Sequence, residues 1–108
     1  MTLQQLESNR FDEVIYDNGE ACLVAFTKKN CPVCKEVIPL LEDLQAQHKE
    51  NFGFYTVDVE KSVNLSQRFS LKGVPSIIFF NDGALKGKLA GQIEEEQVEE
   101  KITATLGS

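Results

Sequence analysis

Ala21-Cys22-Leu23-Val24-Ala25-Phe26-Thr27-Lys28-Lys29-Asn30-Cys31-Pro32-Val33-Cys34 joins a nearly continuous apolar run to two cysteines three positions apart. The run from Ala21 to Thr27 has the length and apolarity of a strand buried on both faces. After Asn30 the spacing turns helical, with Val37, Leu41 and Leu44 at core positions. The cysteines therefore fall in the first turn of a helix that follows a buried strand. At that spacing they can close a disulfide with little backbone movement, and amides at the helix start stabilise a thiolate. A single Cys-x-x-Cys in this setting reads as a redox couple.

Upstream, Leu3 to Leu6 is a short strand candidate. Ser8 or Asn9 offers an N-cap for a helix from about Arg10 to Tyr16, with Phe11, Val14 and Ile15 on one face. Asn18-Gly19 ends it. Downstream, the helix that carries the cysteines runs from Pro32 to about His48. Pro39 inside it removes the amide that would bond the Lys35 carbonyl, so a kink is expected there. Phe52 to Val59 alternates as a strand, a short helix carries Leu65 and Phe69, and Gly73 closes that region. Ser76 to Phe80 is a strand, which Asn81-Asp82-Gly83 turns into Leu85 to Ala90 as a hairpin. The last helix spans about Ile93 to Leu106, with Ile93, Val98, Ile102 and Leu106 facing inward. Strands alternating with helices, then a terminal hairpin, imply a single α/β domain over residues 1–108. Its centre is a mixed sheet of about five strands with helices on both faces.

A chain of 108 residues supports one compact core. The net charge of −6 disfavours nucleic acid and anionic membrane as partners, since nothing offsets phosphate repulsion. No segment approaches a membrane span, and Met1-Thr2-Leu3-Gln4-Gln5 lacks the basic-then-apolar pattern of a leader. The chain therefore reads as cytoplasmic. Three cysteines are too few for a disulfide scaffold, which leaves the Cys-x-x-Cys as a catalytic or metal-binding pair. Zinc needs four ligands, and beyond the pair only Cys22 and His48 could add to them. Cys22 lies at the far end of its strand, roughly 16 Å from the strand end near Thr27, which puts it too far from the cysteines for a shared metal or a disulfide. It reads as a buried small hydrophobe, and His48 as a helix-end residue near the dipole. Glu94, Glu95 and Glu96 open the last helix and complement its dipole as a solvated face.

This order of elements, with Cys31-Pro32-Val33-Cys34 heading the second helix and Val74-Pro75 heading the fourth strand, resembles the thioredoxin family. The likeness runs over essentially the whole chain. It includes Phe11-Asp12, Lys35 and Pro39, Val57-Asp58-Val59, Gly73-Val74-Pro75-Ser76, the Asp82-Gly83 turn and Gly91. The resemblance implies the thioredoxin fold, an exposed attacking thiol at Cys31 and a buried resolving thiol at Cys34. It also implies a cis peptide at Val74-Pro75 and a shallow groove made from Pro32, Val33, Gly73, Val74, Pro75 and Gly91, where an extended substrate segment docks. The implied partners are disulfide-containing proteins and a flavoprotein reductase or another dithiol protein. The implied state is a monomer, and the chemistry needs no bound cofactor or metal.

The departures from the family cluster at the reactive end. The usual Gly-Pro between the cysteines is Pro32-Val33, and the usual tryptophan before them is Asn30. A buried aspartate and its facing lysine, which assist proton transfer at the resolving cysteine, are Ala25 and Thr56. Proline first in the dipeptide is more like glutaredoxins and bacterial disulfide oxidases, although a glutaredoxin's paired glycines beyond the cis-proline strand have no match. The expectation is a thiol-disulfide oxidoreductase that reduces protein disulfides through Cys31 and Cys34. Lys28, Lys29 and Lys35 nearby favour the thiolate that does this. Two alternatives stay open: a thiol oxidase or isomerase of raised potential, and a non-catalytic binding subunit.

Overall fold

The strand before the cysteines is the middle of a five-stranded sheet. In chain order the elements are β1 (Gln4–Gln5), α1 (Ser8–Asp12), β2 (Cys22–Thr27), α2 (Pro32–His48), β3 (Gly53–Asp58), α3 (Val63–Arg68), β4 (Ser76–Asn81), β5 (Ala84–Ala90) and α4 (Glu95–Leu106). A computed structural model describes residues 3–48 and 50–107 of the chain. Met1 and Thr2, the start of the segment read for a leader, lie outside the described residues. The strands lie in the order β1-β3-β2-β4-β5. β1 and β2 run parallel to β3, whereas β4 runs antiparallel to β2 and β5 antiparallel to β4. The sheet is mixed, as the alternating strands and helices and the terminal hairpin require.

Alternation along β2 and β4 divides the core in two. Leu23, Ala25, Ile77 and Phe79 point to the side covered by α2 and α4, where they meet Val37, Leu41, Leu44, Val98 and Ile102. Cys22, Val24, Phe26, Ile78 and Phe80 point to the other side, onto Phe11 of α1 and Leu65 of α3. Both faces of β2 are buried through Phe26, which is why its sequence is apolar throughout rather than alternating. Each large side chain removed from water there contributes about 1.5–3 kcal/mol.

The boundaries of α1 and α4 depart most from the sequence reading. α1 is capped at Glu7, ahead of Ser8 and Asn9, and after Asp12 the chain makes a π turn over Glu13–Asp17. The Asn18 amide bonds to the Glu13 carbonyl at 2.9 Å. The wider turn keeps Val14 and Ile15 buried with Phe11 and leaves Tyr16 exposed. At the other end, α4 begins at Glu95, with Ile93 buried just ahead of it. The Glu94 amide donates to Gln97 Oε1 at 2.9 Å, and Glu95 and Glu96 occupy the first turn, where they complement the dipole. Leu106, expected inside, is exposed, and Thr105 is buried in its place. α2 continues through Pro39 without a break to His48.

Candidate active site at the head of α2

β2 delivers the chain to one end of the sheet, and α2 leads it away. Lys28, Lys29 and Asn30 cross that end exposed, and Cys31 stands one residue before Pro32, the first residue of α2. Pro32 suits that place, because its fixed φ matches the helix and its missing amide would have had no helical partner. The Lys35 amide bonds to the Cys31 carbonyl at 3.2 Å, so Cys31 caps the helix. Cys31 and Cys34 are bonded to each other, with their Cα atoms 5.2 Å apart. The Cys34 amide donates to Cys31 Sγ at 3.1 Å. A helix-end amide aimed at one sulfur of the pair makes the two sulfurs electrostatically unequal.

The resemblance implies an open Cys31 over a covered Cys34. In the bonded form both are covered, at 5 % and 3 % exposure. The cover on Cys31 comes from the loop before β4, where the Val74 carbonyl oxygen lies 3.9 Å from its Sγ. The Val74–Pro75 peptide is cis. Ser76, itself buried, donates its hydroxyl to the Gly73 carbonyl at 2.9 Å, and the Gly91 amide donates to the Pro75 carbonyl at 3.1 Å. Those two bonds tie the loop to the ends of β4 and β5. Gly91 holds φ at +79°, which glycine adopts without steric cost, and a Cβ there would meet nothing within 4 Å. Its requirement is conformational rather than spatial.

Two concavities flank the disulfide. One of about 400 Å³ is lined by Lys72, Gly73, Val74, Pro75, Lys88 and Gly91, together with Ser70, Ser76 and Ala90. Four of the six residues expected to form a groove thus come together there. Pro32 and Val33 do not join that lining: Pro32 is exposed at the helix start, and Val33 packs toward the α2–α4 core. The second concavity, about 320 Å³, is lined by Thr27, Lys28, Cys34, Lys35, Ile38 and Pro39. Lys72 and Lys88 were not singled out from the sequence. Lys88 reaches the loop only because β5 folds back antiparallel on β4, opposite Ile78. Only the register of the hairpin could have placed it there.

Ala25 is fully buried on the α2 side of β2, paired in register with Thr56 and Ile77. A methyl group therefore lies in the core where the resemblance implies an aspartate that assists the resolving cysteine. Cys22 sits at the opposite end of β2, in register with Gly53 and Phe80. Burial first, and the nearby Glu20 second, push its thiol up to about 12, so it stays protonated and unreactive at neutral pH. His48 Nε2 lies 3.5 Å from Glu99 Oε1 and links the end of α2 to α4, away from the sulfurs. Among the described residues no group of three or more His, Cys, Asp or Glu side chains is placed to hold a metal. No helix among them is long and apolar enough to cross a membrane.

The thioredoxin family model matches residues 2–104 of the chain. A thioredoxin of Buchnera aphidicola is 25% identical over 102 residues, covering 94% of each protein. A thioredoxin of Mycoplasmoides gallisepticum is 30% identical over 91 residues, 84% of this chain and 89% of that one. In structure, a mutant thioredoxin from Halobacterium salinarum superposes with a TM-score of 0.86, over 96% of this chain and 90% of that one. At 22% identity, that last likeness speaks to the fold alone.

Proposed function

The chain belongs to the thioredoxin family, and from that premise we propose that it reduces protein disulfides in the cytoplasm as a monomer, with Cys31 as nucleophile and Cys34 as resolving thiol. The observation that carries the assignment is the Cys34 amide donating to Cys31 Sγ at 3.1 Å at the head of α2. When the pair is reduced, that amide and the helix dipole stabilise a thiolate on Cys31 and offer nothing comparable to Cys34. Cytoplasmic work fits the cysteine usage, one vicinal pair and one buried free thiol.

The reaction balances within the pair and its substrate. The Cys31 thiolate attacks one sulfur of a substrate disulfide, and the departing thiolate takes a proton from water. The mixed disulfide is then attacked by Cys34, which gives up its proton as its sulfur bonds to Cys31 Sγ. The second substrate thiol leaves, and the substrate has gained two electrons and two protons. The oxidised pair is returned to the dithiol by a flavoprotein reductase or another dithiol protein. The loop of Gly73, Val74 and Pro75, with Gly91 beside it, offers main-chain groups to an extended substrate segment next to the reacting sulfur. Pro32 and Val33 border the pair from the helix side.

Trapping tests these roles. Cys34→Ser should attack substrates and fail to release them, giving stable mixed disulfides on Cys31 by mass spectrometry. Cys31→Ser should trap almost nothing, and Cys22→Ser should behave as the parent. Substrates recovered on Cys34 or Cys22 would contradict the assignment. Reduction of insulin started by dithiothreitol separates an enzyme from a binding subunit, which would leave the uncatalysed rate unchanged.

A further inference from the structure

We infer that Lys72 and Lys88 select disulfides flanked by acidic side chains, an inference that rests on the reductase reading and names its substrate class. The chain carries 17 acidic against 11 basic side chains, yet the two concavities beside the disulfide are bordered by lysine. Lys72 immediately precedes the Gly73-Val74-Pro75 loop and Lys88 comes from β5, so two separate elements bring ammonium groups to one hollow. Both are exposed. Among the described residues the three ion pairs use Arg10, His48 and Arg68, so Lys72 and Lys88 keep their charge free for a ligand. Lys28 and Lys35 border the hollow on the Cys34 side in the same unpaired state. An acid on α2 near the cysteines, Glu36, is engaged by Gln92 Nε2 at 3.5 Å.

Val74, which lines the first hollow, brings its carbonyl oxygen to 3.9 Å from Cys31 Sγ, so the hollow lies one residue away from the reacting sulfur. A segment extended along Val74 and Pro75 advances roughly 3.3 Å per residue, so side chains within a few residues of its cysteine reach Lys72 and Lys88. The Ser76 hydroxyl already donates to the Gly73 carbonyl, which leaves the lysines as the cationic donors there. A carboxylate in that hollow gains two ammonium partners, and a lysine meets two like charges. Acidic segments are also steered to the site, because the positive border stands against an otherwise negative molecule.

Three peptide disulfides, identical except for aspartate, glutamine or lysine beside the cysteine, test this with the reduced protein. In each, two electrons and two protons pass from the Cys31/Cys34 dithiol to the peptide disulfide. At about 20 mM salt the aspartate peptide should react about tenfold faster than the glutamine one, the scale of two exposed charge pairs plus steering. The lysine peptide should be the slowest. At about 0.5 M salt the ratio should shrink to about twofold. The doubly substituted Lys72→Gln, Lys88→Gln protein should lose most of the aspartate preference at low salt, and Lys72→Arg, Lys88→Arg should retain it. A parent ratio within about twofold of one at low salt, or an unchanged ratio in the glutamine variant, overturns the inference alone. Failure to reduce even the glutamine peptide overturns the reductase reading and this inference with it.

Discussion

Ala25 and Cys22 occupy the same strand and test opposite faces of the sheet. Ala25 is fully buried against the α2–α4 core, in register with Thr56. Ala25→Asp places a carboxyl there with no cation to pair it, so burial raises its pKa above the unfolded value. The folded state then holds a proton that the unfolded chain releases, and stability falls as pH rises through that raised value. Denaturant midpoints should show a loss of roughly 1–3 kcal/mol near neutral pH and a smaller loss near pH 5. An unchanged midpoint would remove Ala25 from the core. Cys22 follows the same sign at higher pH. Its folded-state thiol stands at about 12, above the free value of about 8.5. Its contribution is complete below about pH 8.5 and declines above it by up to about 1.4 kcal/mol per pH unit. Cys22→Ala should therefore lose less stability than the parent between about pH 8.5 and 10.5. Parallel stability profiles for the two proteins would contradict the burial account.

α4 shows what an element's sequence can and cannot say. A spacing of four from Val98 through Ile102 points to Leu106, yet Thr105 is the buried residue. Seven residues return a helix to within about 20° of its starting direction, whereas eight overshoot by about 80°. Thr105 can take the inner place because its hydroxyl donates to the Lys101 carbonyl at 2.6 Å, and its own carbonyl accepts from Asn81 Nδ2 at 2.9 Å. Ile102→Ala should cost about 2–5 kcal/mol in denaturant unfolding and Leu106→Ala about 0.5 kcal/mol or less. Comparable losses would mean that both leucine and isoleucine face the core. The same limit explains α1, where neither glycine nor proline announces the π turn after Asp12. Strands and long helices were legible because β2 is apolar throughout, α2 keeps its core spacing from Val37 to Leu44, and Asp82-Gly83 marks the hairpin turn. At the site, Cys31, Cys34 and the Val74–Pro75 loop could be found by motif. The position of Lys88 could not, since it depends on β5 folding back on β4.

Over the whole molecule, the acidic balance and the lysine-bordered disulfide end pull in different directions. Net charge of −6 bears on solubility, while the Cys34 amide, donating to Cys31 Sγ, acts on the sulfurs directly. In the proposed mechanism a stabilised Cys31 thiolate favours the dithiol over the disulfide, so the reduction potential should lie above the value of about −270 mV typical of thioredoxin. With Ala25 and Thr56 standing where the resemblance implies an aspartate and a lysine, the proposed proton removal from Cys34 falls to groups other than a buried carboxylate. That concerns the rate of release rather than the direction of electron flow. Direction is what distinguishes a reductase from an oxidase or isomerase built on the same fold. The reduction potential of the Cys31–Cys34 couple, measured by equilibration with glutathione, decides it. The account predicts roughly −210 to −265 mV, low enough to reduce many cytosolic disulfides, and a value above about −170 mV would contradict it.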